Sequence, residues 1–400
     1  MRTKDHPSVA DTNRWVDRCA RVIQDPLCRL RFLKYAAKLP DPSSWKRKRR
    51  LASWRLPVLL TLASSSLVLM LARGRVEMHS AAGPVAASPV PAEAVSEYRP
   101  ATLAAVWLVE KSGNSETYSN GLRIDNKYFT TTHERSYVAF RQGEGPHSEG
   151  VRRSQPAGIV YHTTESVQAA FEPGQNGALK RIGESTLAHV QRKGCYNFVV
   201  DRFGRVYRIV AEGHAAFHAG HSVWVDEEWV YINLNESFLA VSFETGTKPG
   251  QVEPGISAAQ TRAAAMLTEM LRSRFSIPAA NCVTHAQVSV NPSNMRVGYH
   301  TDWASSFPFA AVGLPNNYAR PLAAITMFGF DFDGSFLRST GRRMSEGVEL
   351  AEENVRVRAT TAALPLAAFR KQLQKSYWEK VAIFKDAGAS EDEEPASRLR

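Results

Sequence analysis

Two short apolar runs in this 400-residue chain end in histidine: Gly158-Ile159-Val160-Tyr161-His162-Thr163 and Asn281-Cys282-Val283-Thr284-His285. β-Branched and aromatic runs of this length read as buried strands. α/β sheets present their chemistry at the carboxyl ends of their strands. A lone histidine there is most simply a hydrogen-bonded core or rim residue. A third stretch, Gly298-Tyr299-His300-Thr301-Asp302-Trp303, adds a carboxylate. Two neutral imidazoles and a carboxylate, with water in the fourth position, make an open tetrahedral zinc site of the catalytic kind. Zinc so held lowers the pKa of water from about 15.7 to about 7. A rival spelling, His214, His218 and His221, spaces histidines four and three apart, as a helix needs to converge them on one ion. The flanking Gly213 and Gly220 favour a loop instead.

The elements that must position these residues alternate strand and helix from Gly158 onward. Gly158–His162 reads as a strand and Ser185–Lys193 as a short helix. Tyr196–Val200 and Arg205–Val210 form a hairpin across Asp201-Arg202-Phe203-Gly204. Phe238–Glu244 is a further strand, and Asn281–His285 a short one. Ser257–Phe275 is the clearest helix, with Ser257 as its N-cap. Before this region, Leu103–Glu110 and Leu122–Thr131 read as paired strands around Ser119-Asn120-Gly121, and Gly143–Pro156 as a polar loop. After it, Leu322–Arg400 shows one strong element, the amphipathic helix Leu366–Phe384. The fold class is therefore α/β, a central mixed β-sheet flanked by helices, with its core over residues 158–310 of a domain spanning 101–320. Residues 321–400 form an extension that ends in an acidic, disordered tail.

The net charge of +11 invites a nucleic-acid reading, but its distribution excludes one. Residues 1–55 carry 15 Lys/Arg against 5 Asp/Glu, leaving 35 against 34 in the remainder. That basic segment ends in Lys46-Arg47-Lys48-Arg49-Arg50 and meets Leu56–Ala72, a run of 17 uncharged residues. As a helix this run reaches roughly 25 Å, and flanking residues extend it toward the ~30 Å hydrocarbon core. The expected order is a cytoplasmic tail (1–55), one transmembrane signal-anchor (56–73), an Ala/Pro-rich tether (74–100) and an exported remainder. Residues 46–73 then contact membrane lipid. A cleaved signal is the alternative. Cys19 and Cys28 fall on the reducing side. Cys195 and Cys282 fall on the oxidising side, where their pairing is left open.

Six elements, in order, resemble the zinc-dependent N-acetylmuramoyl-L-alanine amidases, whose fold is shared with peptidoglycan recognition proteins. They are Ile159–Thr163; Tyr196–Asp201 with Gly204–Tyr207; Phe217-His218-Ala219-Gly220; Val241–Glu244; Thr284-His285; and Asp302 followed by Phe307-Pro308-Phe309. The resemblance covers about Gly158–Phe309. It implies one Zn2+ held by His162, His285 and Asp302, with Glu244 as acid/base and Tyr196 over the metal. It places His218 beside the site, and His218 and Trp224 are the candidates to line the substrate. Many bacterial relatives have a lysine two residues before the third ligand; His300 stands there, and an imidazole N–H could serve the oxyanion in its place. His285 and Asp302 lie farther apart in sequence than the family leads one to expect, so Gln287–Val297 should loop out. Trp303 replaces the usual proline after the aspartate. The implied activity is hydrolysis of the amide between N-acetylmuramic acid and L-alanine of peptidoglycan, on the periplasmic face of a bacterial inner membrane. A module of the same fold that binds muropeptides without cutting them is the alternative.

Overall fold

Gly158–Thr163 is a strand with all six residues buried, as a parallel strand covered on both faces must be. The computed structural model describes residues 103–143, 149–248 and 255–386, all within the unit Val95–Arg400. The basic tail, the Leu56–Ala72 run, the tether and the acidic tail lie outside the described residues. Among the described residues no helix is long and apolar enough to cross a membrane.

The strands are β1 (Leu108–Ser112), β2 (Ser115–Tyr118), β3 (Arg123–Asp125), β4 (Tyr137–Arg141), β5 (Val151–Arg153), β6 (Gly158–Thr163), β7 (Phe198–Val200), β8 (Val206–Arg208), β9 (Val223–Val225), β10 (Trp229–Ile232), β11 (Phe238–Phe243), β12 (Cys282–Thr284), β13 (Val290–Asn291) and β14 (Arg296–Val297). The helices are α1 (Asn176–Lys193), α2 (Leu234–Ser237), α3 (Ala258–Phe275), α4 (His285–Val288), α5 (Ala323–Phe328), α6 (Gly334–Ser339), α7 (Arg342–Thr361) and α8 (Leu366–Asp386). The main sheet runs β1-β2-β3-β8-β7-β11-β6-β12. β6 lies between two parallel neighbours, while β7/β8 and β1/β2/β3 pair antiparallel. This is the expected mixed sheet flanked by helices. A second, antiparallel sheet, β5-β4-β10-β9, was not expected; the polar 143–156 segment contains its edge strand β5. The β1–β3 region is a three-stranded meander, with an added turn at Gly113-Asn114, rather than one hairpin.

Alternation along the strands divides the core into layers. Ile159 and Tyr161 of β6 pack with Leu239, Val241 and Phe243 of β11 against Ala263, Leu267 and Leu271 of α3. Val160 and Phe238 face the other way, onto Trp224 and Tyr231 of the second sheet. Farther along that face, Leu187 and Val190 of α1 cover Val199 and Tyr207. The clear helix begins as expected: Ser257 Oγ accepts from Gln260 N–H and the Gln260 side chain accepts from Ser257 N–H, a reciprocal cap.

Among its described residues the C-terminal extension holds four helices where one was expected. Met344, Val348, Ala351 and Val355 of α7 share a core with Phe328 and Phe330, and Phe140 and Val230 of the second sheet belong to it. Tyr377 of α8 packs edge-on to Phe328 and Phe330 at 5.5 and 5.0 Å. Cys195 and Cys282 are not joined to each other in a disulfide. Burial in β12 pushes the Cys282 thiol up to about 12, so it behaves as a small apolar side chain.

Gly158 lets β6 and β11 begin side by side. A Cβ there would stand 2.1 Å from the Phe238 ring and 2.5 Å from the Asn281 carbonyl oxygen. Gly158→Ala is expected to cost about 1–3 kcal/mol through overpacking. A melting temperature equal to that of the wild type would contradict this.

Candidate metal centre

β6 carries His162 to the carboxyl end of the sheet. β12 runs parallel beside it and ends at Thr284, so that His285 opens α4 on the same rim. Gln287 fixes this start: its side-chain oxygen accepts from Thr284 N–H at 3.0 Å, and its amide donates to the Asn317 carbonyl at 2.9 Å. Asn317 in turn donates to the carbonyls of Cys282 and Ala279. The third segment is tied to both others. Ala286 N–H donates to the Asp302 carbonyl at 3.2 Å, and Trp303 Nε1–H donates to the His162 carbonyl at 3.0 Å. Tyr318 OH then closes onto the Trp303 carbonyl at 2.7 Å.

These ties bring three side chains together. Asp302 Oδ2 lies 3.2 Å from His162 Nδ1, and Oδ1 lies 2.8 Å from His285 Nδ1. The candidate ligand atoms all fall within 4.8 Å of one another. His162, His285 and Asp302 are 1%, 2% and 8% exposed. Burial opposes ionisation of the carboxyl. The charges of His285 and His162 and their hydrogen bonds outweigh it and hold Asp302 well below its usual value. Ionisable groups this dry need a partner. Two imidazole nitrogens and a carboxylate oxygen, with room for a fourth ligand, are the donor set of hydrolytic zinc. The residues present fit the ion.

The remaining expected residues separate into two sets. His300 stands at the centre, its ring stacked on His285 at 4.8 Å and 14°, with its backbone N–H on Ser289 Oγ. It lies in irregular chain between a bend at Tyr299 and the turn that begins at Asp302. Tyr196 lies with its ring centroid 5.2 Å from that of His162. It belongs to the loop before β7, in the left-handed region at φ +61. Glu244 follows β11, whose Ser242 is registered with His162, so alternation puts Glu244 on the face of His162. Its carboxylate accepts from Arg202 N–H at 3.2 Å. Burial raises its pKa, and the Asp201 charge adds to this against the Arg202 hydrogen bond.

Two assignments are corrected. Trp224 does not line a substrate surface. It is 2% exposed, packs with Val160, Val283 and Phe238, and donates its indole N–H to Asn281 Oδ1 at 3.0 Å. His218 is 1% exposed and stands against His162, buried rather than on a substrate-facing surface. The rival histidine triad does not converge either. His214 Nδ1 contacts the Thr132 carbonyl, and the segment is a loop. Among the described residues, His162, His285 and Asp302 are the one such group placed to hold a metal.

Gln287–Val297 does not loop out freely: α4 and the β13–β14 hairpin occupy it. Gly298, at φ +78, follows this hairpin where a Cβ would meet the Phe336 ring of α6 at 2.2 Å. The C-terminal helices therefore press directly on the segment carrying His300 and Asp302. The residues sequence reasoning missed are those doing the tying: Trp303, Gln287, Asn317 and Tyr318. Trp303→Phe keeps one aromatic ring but removes the donor to His162 and part of the buried indole, and should cost at least about 1 kcal/mol in thermal unfolding. An unchanged melting curve would show that this bond contributes nothing.

Residues 152–302 match the N-acetylmuramoyl-L-alanine amidase family. The matched segment runs from β5 to Asp302 and contains His162, His285 and Asp302. Similar solved structures include the N-acetylmuramoyl-L-alanine amidase LysC from Clostridium intestinale URNW, at 20% identity over 40% of this chain and 83% of that one, TM-score 0.25. Another is the amidase AmiD from E. coli in complex with anhydro-N-acetylmuramic acid-L-Ala-D-gamma-Glu-L-Lys, at 19% identity over 51% and 64%, TM-score 0.30. A third is Drosophila peptidoglycan recognition protein SD, at 16% identity over 34% and 73%, TM-score 0.24. The search of curated proteins returned no match.

Proposed function

We propose that the protein is a zinc-dependent peptidoglycan hydrolase that cleaves the amide between N-acetylmuramic acid and L-alanine of the stem peptide. The observation that carries this reading is the buried convergence of His162, His285 and Asp302 within the segment that matches the amidase family. Zinc held by these three would supply Lewis acidity, polarising the scissile carbonyl and making water nucleophilic near neutral pH. Glu244, with its raised pKa, takes a proton from the attacking water and returns it to the departing amide nitrogen. His300 and Tyr196, at the flanks of His285 and His162, donate hydrogen bonds to the carbonyl oxygen as negative charge develops on it. The products are the muramyl carboxylate and a free L-alanine amino terminus.

The same proposal places the enzyme outside the cytoplasmic membrane, anchored through residues 46–73. The basic run Lys46–Arg50 against the uncharged Leu56–Ala72 supports this orientation. Protease added to intact spheroplasts should then digest the domain and spare the tail.

The deciding experiment measures bound zinc in the purified full chain and the release of L-alanine amino termini from peptidoglycan. Near-stoichiometric zinc with release is expected. Zinc and muropeptide binding without release would make this a recognition module. Absence of zinc would overturn the ligand assignment.

A further inference from the structure

We infer that His218 is a positioning residue, which fixes the His162 ring by accepting a hydrogen bond from the ring nitrogen that faces away from Asp302. The inference rests on the reading of His162 as a metal ligand.

His162 presents Nδ1 to Asp302 and Nε2 to His218. An imidazole that gives its Nδ1 lone pair to a metal keeps its proton on Nε2. In a buried site that N–H needs an acceptor, and the acceptor within reach is Nδ1 of His218 at 3.0 Å. The two rings meet at 85°, centroids 5.1 Å apart, so the His218 nitrogen approaches His162 edge-on, along the N–H. Only a neutral His218 can accept. Its own proton then sits on Nε2, which faces the Phe238 carbonyl outside strict hydrogen-bond geometry.

His218 is itself held from behind. Its backbone N–H and that of Ala219 both donate to Asn235 Oδ1, at 2.8 and 2.6 Å. Asn235 is buried on α2. The chain of contacts Asn235–His218–His162 thus runs from a rigid element to a ligand ring, and sets both its rotation and its tautomer. Outer partners of this kind typically govern metal affinity.

The test uses the full-length chain. Competition with a chromophoric chelator should show His218→Ala binding zinc about 10–100-fold more weakly than the wild type. His218→Asn, whose amide oxygen takes the place of Nδ1, should recover most of that affinity. Long-range 1H–15N spectra of the zinc-loaded wild type should show His218 as the Nε2–H tautomer. A folded His218→Ala variant with wild-type zinc affinity would overturn the inference alone, as would an Nδ1–H tautomer. Should His218→Ala not fold, the Asn variant and the tautomer decide. A wild type that binds no zinc would overturn the metal reading, and this inference with it.

Discussion

Asp302→Ala is expected to remove zinc and amidase activity together. The carboxylate is the one anionic member of the three, and it lies within 3.2 Å of both imidazoles. Without it, two neutral nitrogens face a divalent ion in a dry site, and the ligand count falls below that of catalytic zinc. Since the metal contributes several kcal/mol at the transition state, the loss in kcat/KM should be about 10³-fold or more. Metal analysis and release of L-alanine amino termini should fall in parallel. Retention of zinc with full activity would show that the metal, if any, is held elsewhere.

Glu244→Gln should separate chemistry from metal binding and from stability. The amide can hold the Arg202 N–H contact but cannot shuttle a proton, so activity should fall about 10²–10⁴-fold with zinc content unchanged. The stability effect runs the other way. Burial raises the folded-state pKa of Glu244 above its unfolded value. The folded state therefore binds the proton more tightly, and wild-type stability declines as pH rises from the unfolded value through the raised one. Glutamine carries no such penalty. Relative to the wild type, the variant should gain thermal stability as pH rises from about 3, where the carboxyl is protonated in both states, through its raised folded-state value. A relative stability that stays flat or falls over that interval would contradict the raised pKa. An active site that is destabilising when intact is a familiar consequence of burying a charge for catalysis.

Much of this centre was legible because the signals were local. A β-branched run ending in His162 states both the strand and the rim position. Ser257 followed by Gln260 states the start of α3. What escaped notice depended on distant neighbours. α1 was read from Ser185, whereas it starts at Asn176, because Gly177 and Gly183 lower the helical propensity of its first half. A Cβ at Gly183 would make only ordinary contact with the Glu244 carboxylate, at 3.5 Å, so space does not demand glycine there. The β9–β10 hairpin was spelled out as Val223-Trp224-Val225 and Trp229–Ile232 around Asp226-Glu227-Glu228. Two such runs across a three-residue turn are a hairpin signal, and giving it weight would have put Trp224 in the core. α7 hid its face in small and β-branched residues, although Met344, Val348, Ala351 and Val355 keep helical spacing. The role of His218 could not be read from spacing, since its bond to His162 joins residues 56 apart in sequence.

The ties between the three ligand segments also dictate an order of events. Trp303 reaches back 141 residues to the His162 carbonyl. Asn317 and Tyr318 secure the segments of His285 and Asp302, and Phe336 closes against Gly298. Contacts that close such long loops form late in folding. A chain still being made, or one cut short before Asn317, keeps the Trp303–His162 and Ala286–Asp302 bonds but lacks the Asn317 and Tyr318 ties that secure the segments of His285 and Asp302. Synthesis from the amino terminus thus supplies the last ties around the centre only after all three candidate ligands have been made.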